Sequence, residues 1–112
     1  MTVCKRRDTV LVGFVFADES VRTLRPAVVI SSSVYNHARR EVIVAAITSN
    51  VRRQLVGEYL IADWKGAGLL FPSVVTGILR TITRTMVERK LGTMARPEMA
   101  AVDRELRRAL DL

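Results

Sequence analysis

Short apolar runs rich in β-branched residues recur along this chain, and they constrain its fold more than any other feature. Polar residues, glycine or proline flank the runs, which are too short and too rich in valine and isoleucine for helices. They predict strands over residues 9–16, 27–32, 41–47, 58–62, 72–76, 79–82 and 87–91. Residues 17–24 are interpreted as a loop, and residues 33–40 as a polar connection with one helical turn around Tyr35.

Only the last segment of the chain has a helical period. Pro97 suits a first helical position, and Glu98 suits the positive end of a helix dipole. Asp103 and Arg107 are spaced to form a pair across one helical turn. The apolar face comprises Met99, Val102, Leu106, Ala109 and Leu110. Several short strands followed by one helix predict a mainly β fold, a small barrel-like sheet with the helix packed on it, as a single domain over residues 1–112.

The charge balance narrows the class of partner. Lysine and arginine total 18 against 11 acidic residues, which gives a formal net charge of +7. Most of the basic residues are arginines, whose planar guanidinium matches phosphate and carboxylate oxygens. This composition favours an anionic partner, namely RNA, DNA or an acidic protein tail. The alternative is a basic protein in which arginine simply replaces lysine.

The scarcity of cysteine and histidine excludes several kinds of site. Cys4 is the single cysteine and His37 the single histidine, so neither an internal disulfide nor a zinc site of Cys and His ligands is expected. No apolar run of signal-peptide type follows the basic N-terminus, and no apolar stretch reaches the ~18 residues of a membrane span. We therefore expect a cytoplasmic protein with no membrane contact.

Several segments, in their order and spacing, resemble the MazF/PemK family of toxins. In the first half the resemblance is carried by KRRDTVLV at residues 5–12, RPAVVIS at 25–31 and VIVAAIT at 42–48. In the second half it is carried by Asp63-Trp64 and by residues 67–70, 72–75, 79–82, 89–92 and 102–110. It covers residues 5–111, which is nearly the whole chain.

The resemblance implies a fold, an activity and a partner. Members of the family have an SH3-like barrel, shared with the CcdB toxins, and form symmetric homodimers. They cleave single-stranded RNA at short motifs without a metal or other cofactor. The 2′-OH of the substrate attacks the adjacent phosphate and leaves a cyclic phosphate and a 5′-OH. A cognate antitoxin covers the RNA groove with an acidic C-terminal tail.

Two residues are predicted to be catalytic. Arg25 is suited to hold the charge that builds on the phosphate, because Pro26 stiffens the backbone that presents its guanidinium. Thr48 lies where a strand gives way to a polar loop, and its hydroxyl can contact a phosphate oxygen or position the attacking group. The family motifs point to the same two residues. The structural alternatives are an ion-paired arginine and a hydroxyl that caps a local turn.

The RNA contacts are predicted in the loop after Thr48 and in the LRT motif. The predicted RNA-binding residues are Ser49, Asn50, Arg52, Arg53 and Arg80. The general base stays open between Asp18, Glu19 and His37, and the general acid is unassigned. Trp64 is interpreted as a core or dimer residue rather than as a base-stacking one.

The chain departs from the family pattern at a few positions. Many relatives have glycine at the position of Arg7, where a tight turn would suit glycine better. Many also have proline at Val15 and threonine at Ala17. The PemK branch has a catalytic arginine and aspartate where this chain has Thr76-Gly77, so the acid–base scheme of that branch does not transfer.

Two other functions compete with RNA cleavage. A homologue that binds RNA without cleaving it would keep the basic groove and lack the acid–base groups. A CcdB-like gyrase poison would share the fold, but those toxins depend on a tryptophan near the C-terminus. This chain ends in RALDL and its one tryptophan is internal.

Overall fold

The computed structural model describes residues 4–14, 23–52 and 55–112, and these ranges contain six strands and two α-helices. The strands are β1 (Asp8–Phe14), β2 (Thr23–Val29), β3 (Glu41–Thr48), β4 (Tyr59–Leu60), β5 (Val74–Thr83) and β6 (Val87–Thr93). The helices are α1 (Ser33–Ala38) and α2 (Arg96–Leu110), and a 3-10 turn (Arg84–Met86) joins β5 to β6. The predicted mainly β fold with a C-terminal helix is confirmed, as is the helical turn around Tyr35.

These strands form one antiparallel sheet in the order β4-β5-β3-β2-β1-β6, so β4 and β6 are its edges. The chain after β4 runs on to contact the opposite edge. There the Thr9 hydroxyl donates to the Ala67 carbonyl, and Gly68 lies against the backbone of Leu91 in β6. This segment bridges the two edges, as the barrel-like closure requires.

Valine-rich strands bury side chains on both faces of the sheet, which explains why their sequences read as continuous apolar runs. In β2, for example, Val28 and Val29 belong to different cores because successive side chains alternate. The core beneath α2 includes Val28, Ala45, Ile47, Val75, Met94, Met99 and Val102. The core on the other face includes Val10, Val12, Ala27, Val29, Val42, Val44 and Ile82.

Strand β2 begins earlier than predicted, because Thr23 to Pro26 pair with β1. The sequence pattern assigned residues 17–24 to a loop, of which residues 17–22 lie outside the described ranges. Pairing of β2 with β3 covers only Ala27 to Val29. Pro26 has no N–H to donate to a ladder, so the half of β2 before Ala27 has β1 as its only neighbour among the described strands.

Strand β5 is one strand rather than the two that were predicted. Its pairing with β3 shifts between Ala45, which lies opposite Leu79, and Ile47, which lies opposite Val75. The extra residues of β5 form a bulge, and Thr76 holds it together. The Thr76 hydroxyl donates to the Ala46 carbonyl (2.7 Å) and accepts from the Ile78 N–H (3.1 Å).

Helix α2 begins at Arg96, so Pro97 occupies its second position instead of the predicted first. The predicted pair of Asp103 with Arg107 is replaced by a tertiary contact. Both carboxylate oxygens of Asp103 accept from the guanidinium of Arg6, which also donates to the Ile30 carbonyl (3.1 Å). Among the described residues, no helix has both the length and the apolarity of a membrane span.

Glu98, in the first turn of α2, is buried and fastens the helix to the end of β4. Its carboxylate accepts from the Tyr59 hydroxyl (2.7 Å) and from the N–H groups of Ala62 (2.6 Å) and Asp63 (3.1 Å). Burial, and then the hydrogen bond to Glu98, raise the pKa of Tyr59 to about 12. The neutral phenol is thus the form that the folded state prefers.

The raised pKa predicts an alkaline loss of stability that depends on Tyr59. A tyrosine that titrates near pH 10 when unfolded and near pH 12 when folded stabilises the protein below pH 10 and loses that contribution as pH rises to 12. Tyr59→Phe should lower the unfolding free energy by about 1 kcal/mol at neutral pH. Urea unfolding should show this difference between the two proteins shrinking between pH 10 and 12. A difference that stays constant with pH would contradict the assignment.

Arg7 adopts the backbone conformation for which the family's glycine is suited. Its φ of 81° lies in the left-handed region. Its N–H donates to the Val29 carbonyl (3.0 Å) and its carbonyl accepts from the Met94 N–H (2.9 Å), so the turn is fixed on both sides. Arginine therefore occupies the tight conformation that the sequence comparison associated with glycine.

The stability of variants at Arg7 should therefore depend on how easily the new residue adopts a positive φ. Arg7→Gly and Arg7→Ala both lose the guanidinium contact with the Met94 carbonyl, but only alanine keeps the steric cost of a positive φ. We expect the glycine variant to be the more stable of the two by about 0.5–1 kcal/mol. Urea unfolding of both variants would measure this, and equal stabilities would refute the ranking.

Candidate functional site: a cleft where two strands part

The candidate site begins where β2 and β3 separate. Ala27 pairs with Ala46, and the same register continued would place Arg25 opposite Thr48. Pairing stops because Pro26 lacks an N–H, so the two strands form the lips of an opening. Side chains two residues apart on a strand share a face, which puts Arg25 and Thr48 on the same face of the sheet.

A cleft of about 960 Å³ occupies this opening. Arg25 and Thr48 both line it, so the structure brings together the two residues that were predicted to act together. Ser49 and Arg80 line it as well. The other lining residues are Leu11, Phe14, Pro26, Val44, Ala46, Ile47, Gly68, Leu69, Leu70, Phe71, Ser73, Thr76, Ile78, Arg89 and Leu91.

The charge of the cleft is entirely positive over the part of the chain that the structure describes. Arg25, Arg80 and Arg89 line it, and none of its described lining residues is acidic. Arg25 is exposed, on the lip of the opening that lies across from Thr48. Three guanidinium groups, with no carboxylate among the described lining residues, create a potential that attracts a polyanion.

Thr48 closes a local turn and still faces the cleft. Its Oγ1 accepts the N–H of Asn50 at 3.1 Å, so the turn-capping alternative describes part of its role. A hydroxyl has two lone pairs and one proton, and this hydrogen bond uses one lone pair. The hydroxyl proton thus remains available to a group in the cleft.

The remaining predicted RNA-binding residues are placed differently. Asn50 and Arg52 are exposed but do not line the cleft, and the Asn50 side-chain oxygen accepts the Arg52 N–H at 3.3 Å. Arg53 lies outside the described residues, as do Val15, Ala17 and the candidate bases Asp18 and Glu19. Of the predicted loop contacts, Ser49 alone is therefore placed in the cleft by the described geometry.

His37 lies away from the cleft. It belongs to α1, and its Nδ1 is hydrogen-bonded to the Ser33 carbonyl at 2.8 Å. Trp64 packs against the core beneath α2, with the Lys65 ammonium 5.4 Å from its ring, which confirms the core interpretation. No described group of three or more His, Cys, Asp and Glu side chains is arranged to hold a metal ion.

Sequence reasoning missed several residues of the cleft. Arg89 belongs to β6 and Phe71 to the segment between β4 and β5, and the tertiary fold brings both to the opening. Leu70, Phe71 and Ile78 are apolar and 83, 62 and 63 % exposed, respectively. Exposed apolar side chains at a basic opening indicate a binding surface. Thr76, by contrast, uses its hydroxyl within the β5 bulge.

Comparison with known proteins agrees with this fold. Residues 5–110 match the family described as PemK-like, MazF-like toxin of type II toxin–antitoxin system. A search of curated proteins finds no significant sequence match. The solved structure of the Mycobacterium tuberculosis toxin MazF-mt6 is similar at 27 % identity and a TM-score of 0.75, covering 95 % of this chain and 98 % of that one.

Two complexes with antitoxins have the same fold. A chain of the Deinococcus radiodurans MazE-MazF complex (Form-II) gives a TM-score of 0.82 at 20 % identity, covering 100 % of this chain and 99 % of that one. A mycobacterial endoribonuclease in complex with its cognate antitoxin gives a TM-score of 0.77 at 17 % identity, covering 96 % of this chain and 95 % of that one. From the family match over nearly its whole length, the chain belongs to the PemK-like and MazF-like toxins of type II toxin–antitoxin systems.

Proposed function

We propose that this toxin is an endoribonuclease that cleaves single-stranded RNA without a metal. The substrate's own 2′-OH attacks the adjacent phosphate, and the products carry a cyclic phosphate and a 5′-OH. The observation that carries the proposal is the shared cleft of Arg25 and Thr48, which is lined by arginines and by no described carboxylate. The names of similar solved structures, which include endoribonucleases, support the same activity.

In this proposal Arg25 and Thr48 are the catalytic residues. The Arg25 guanidinium donates two parallel hydrogen bonds to the non-bridging phosphate oxygens, where negative charge increases as the 2′-oxygen attacks. The Thr48 hydroxyl donates to one of these oxygens or holds the 2′-OH in line. Because Asn50 fixes one lone pair of Thr48, the hydroxyl has few orientations left to lose on binding.

Arg80 and Ser49 bind the RNA inside the cleft, and Asn50, Arg52 and Arg53 extend the contact along the loop after Thr48. Arg89 joins this set because it lines the cleft with Arg80. Single-stranded RNA offers phosphates and base planes to the arginines, and unstacked base edges to the serine and asparagine side chains. The attack passes the 2′ proton to a general base, and the leaving 5′-oxygen takes a proton from a general acid. His37 lies away from the cleft, so the candidate bases that remain are Asp18 and Glu19, and no residue is proposed as the acid.

The proposed regulator is an antitoxin with an acidic C-terminal tail that occupies the same cleft. Carboxylates pair with the three arginines as phosphates do, and apolar side chains of a peptide suit the exposed Leu70, Phe71 and Ile78. Solved MazE-MazF complexes with this fold support such a partner. We also propose a homodimer in the cytoplasm, as the family resemblance implies.

A homologue that binds RNA but does not cleave it is the second candidate. The observation that favours it is the lack of any carboxylate or imidazole lining the cleft over the described residues. Such a protein would keep the affinity for single-stranded RNA and its dependence on salt concentration.

One assay separates the two candidates. The purified toxin should cut a long RNA at discrete positions in EDTA, and end mapping should find a cyclic phosphate upstream and a 5′-OH downstream of each cut. Cuts that need added Mg²⁺, or that leave 5′-phosphates, would reject the proposed mechanism. Intact RNA that is nevertheless bound in a salt-dependent way would support the non-cleaving candidate.

A further inference from the structure

Arg80 and Phe14 both line the cleft, and the Arg80 guanidinium lies over the Phe14 ring. The guanidinium carbon of Arg80 lies 4.8 Å from the centre of the Phe14 ring. Arg80 belongs to β5 and Phe14 to β1, and two strands, β3 and β2, lie between them in the sheet. The two side chains therefore reach towards each other across the opening instead of meeting as neighbours on adjacent strands.

The stack lies on the same face of the sheet as Arg25. Arg25 pairs with Val12, and Phe14 is two residues further along β1, so both side chains project to that face. Since Arg25 is on β2, it lies between the strands that carry the two members of the stack. A phosphate held by Arg25 would thus have its neighbouring nucleotide beside the stack.

The geometry of Arg80 suits a flat ligand better than a phosphate. The Phe14 ring covers the Arg80 guanidinium on one side, and Arg80 is exposed, so part of the guanidinium remains accessible to a base. A phosphate contact uses the edge of a guanidinium and needs no ring beside it. Bases of single-stranded RNA stack on aromatic rings and on guanidinium planes.

We propose that Arg80, held against the Phe14 ring, is the stacking platform for one base next to the cleaved phosphate. The inference rests on the proposed RNA cleavage and adds a specificity-determining subsite to it. Stacking strength grows with ring area, so the platform favours a purine at that one position. It contributes to base preference, whereas Arg25 and Arg89 contact the backbone.

The test uses a short RNA around a mapped cleavage site, with a single abasic residue moved through each position in turn. In the wild-type toxin the abasic residue should lower kcat/KM by about tenfold or more at one position beside the cut. Arg80→Lys keeps the positive charge but removes the planar guanidinium group. It should lower kcat/KM on the intact RNA by a similar factor and show no further loss with the abasic residue there.

Two matched variants test whether the ring contact itself is responsible. Phe14→Leu should reduce the loss of kcat/KM that the abasic residue causes at the same position, because it removes the ring that the Arg80 guanidinium contacts. Arg89→Lys, a substitution in the same cleft with no ring contact described, should keep the full effect. If Arg80→Lys retains the wild-type abasic effect, Arg80 contacts the backbone only and the stacking inference is wrong.

A binding measurement keeps the inference testable if the toxin does not cleave. An RNA with 2-aminopurine in place of one base loses fluorescence when that base stacks. Titration with wild-type toxin should quench the probe at one position, and Arg80→Lys or Phe14→Leu should abolish the quenching while binding persists. Absence of quenching at every position would overturn the platform, independently of whether RNA cleavage is observed.

Discussion

Replacing Arg25 with alanine is expected to lower kcat/KM for RNA cleavage by about 10²–10³-fold. The guanidinium lies at one lip of the opening, across from Thr48, and is the proposed ligand of the phosphate oxygens. Its removal leaves the charge that builds in the transition state to water and to more distant arginines. In free energy the expected loss is about 3–4 kcal/mol of transition-state stabilisation.

The cause of this loss can be separated from a loss of folding. Arg25 is exposed, so the unfolding free energy of Arg25→Ala should lie within about 0.5 kcal/mol of the wild-type value. Arg25→Lys keeps a positive charge without the planar fork and should recover part of the activity. The matched control is Arg107→Ala on the exposed side of α2, which should cleave RNA at the wild-type rate.

The two possible failures have different meanings. Undiminished cleavage by Arg25→Ala would show that another group stabilises the phosphate and that the catalytic assignment is wrong. A decrease of equal size in Arg107→Ala would indicate a general effect of charge on RNA association rather than a role in the cleft.

Replacing Gly68 with alanine is expected to destabilise the fold by about 3 kcal/mol or more. Gly68 has a φ of 81°, which disfavours a side chain, and an added Cβ would lie 2.0 Å from the carbonyl oxygen of Leu91. That oxygen is backbone of the edge strand β6, so it cannot move without opening the bridge between the sheet edges. Urea unfolding measures the loss directly.

Two further variants sharpen this prediction. Gly77→Ala is the matched control, because its added Cβ would have no neighbour closer than 3.7 Å, and it should change the stability by less than about 1 kcal/mol. Gly92 lies on the other side of the same contact, with an added Cβ 2.5 Å from the Ala67 carbonyl. Gly68→Ala and Gly92→Ala should therefore be less than additive when combined. A Gly68→Ala variant as stable as Gly77→Ala would refute the close contact between Gly68 and the backbone of β6.

Much of the architecture was predictable because its signals are local. Short runs of valine and isoleucine restrict a segment to an extended backbone wherever it lies, and the period of Met99, Val102 and Leu106 specifies one helical face. The boundaries were less predictable. Pro26 was expected to precede its strand, yet it lies within β2, because pairing with β1 alone needs no N–H on its other side.

The candidate site was predictable only in part, because only some of its residues carry a signal in the local sequence. Arg25 begins one of the segments that resemble the family and Thr48 ends another, so both residues could be named before any fold was known. Arg89, Phe71 and the Phe14–Arg80 stack have no local signal. Their relation depends on contacts between strands and loops that are distant in the sequence.

By itself, then, the sequence indicated most of the extended segments, the terminal helix and the basic charge, because each depends on residues close together in the chain. Its resemblance to a known family named the two candidate catalytic residues. The tertiary structure decided where β2 and β3 part, which arginines share the opening, and that Asp103 pairs with Arg6 instead of Arg107. Those outcomes depend on contacts between distant segments, whose free energies are set by packing and not by local propensity.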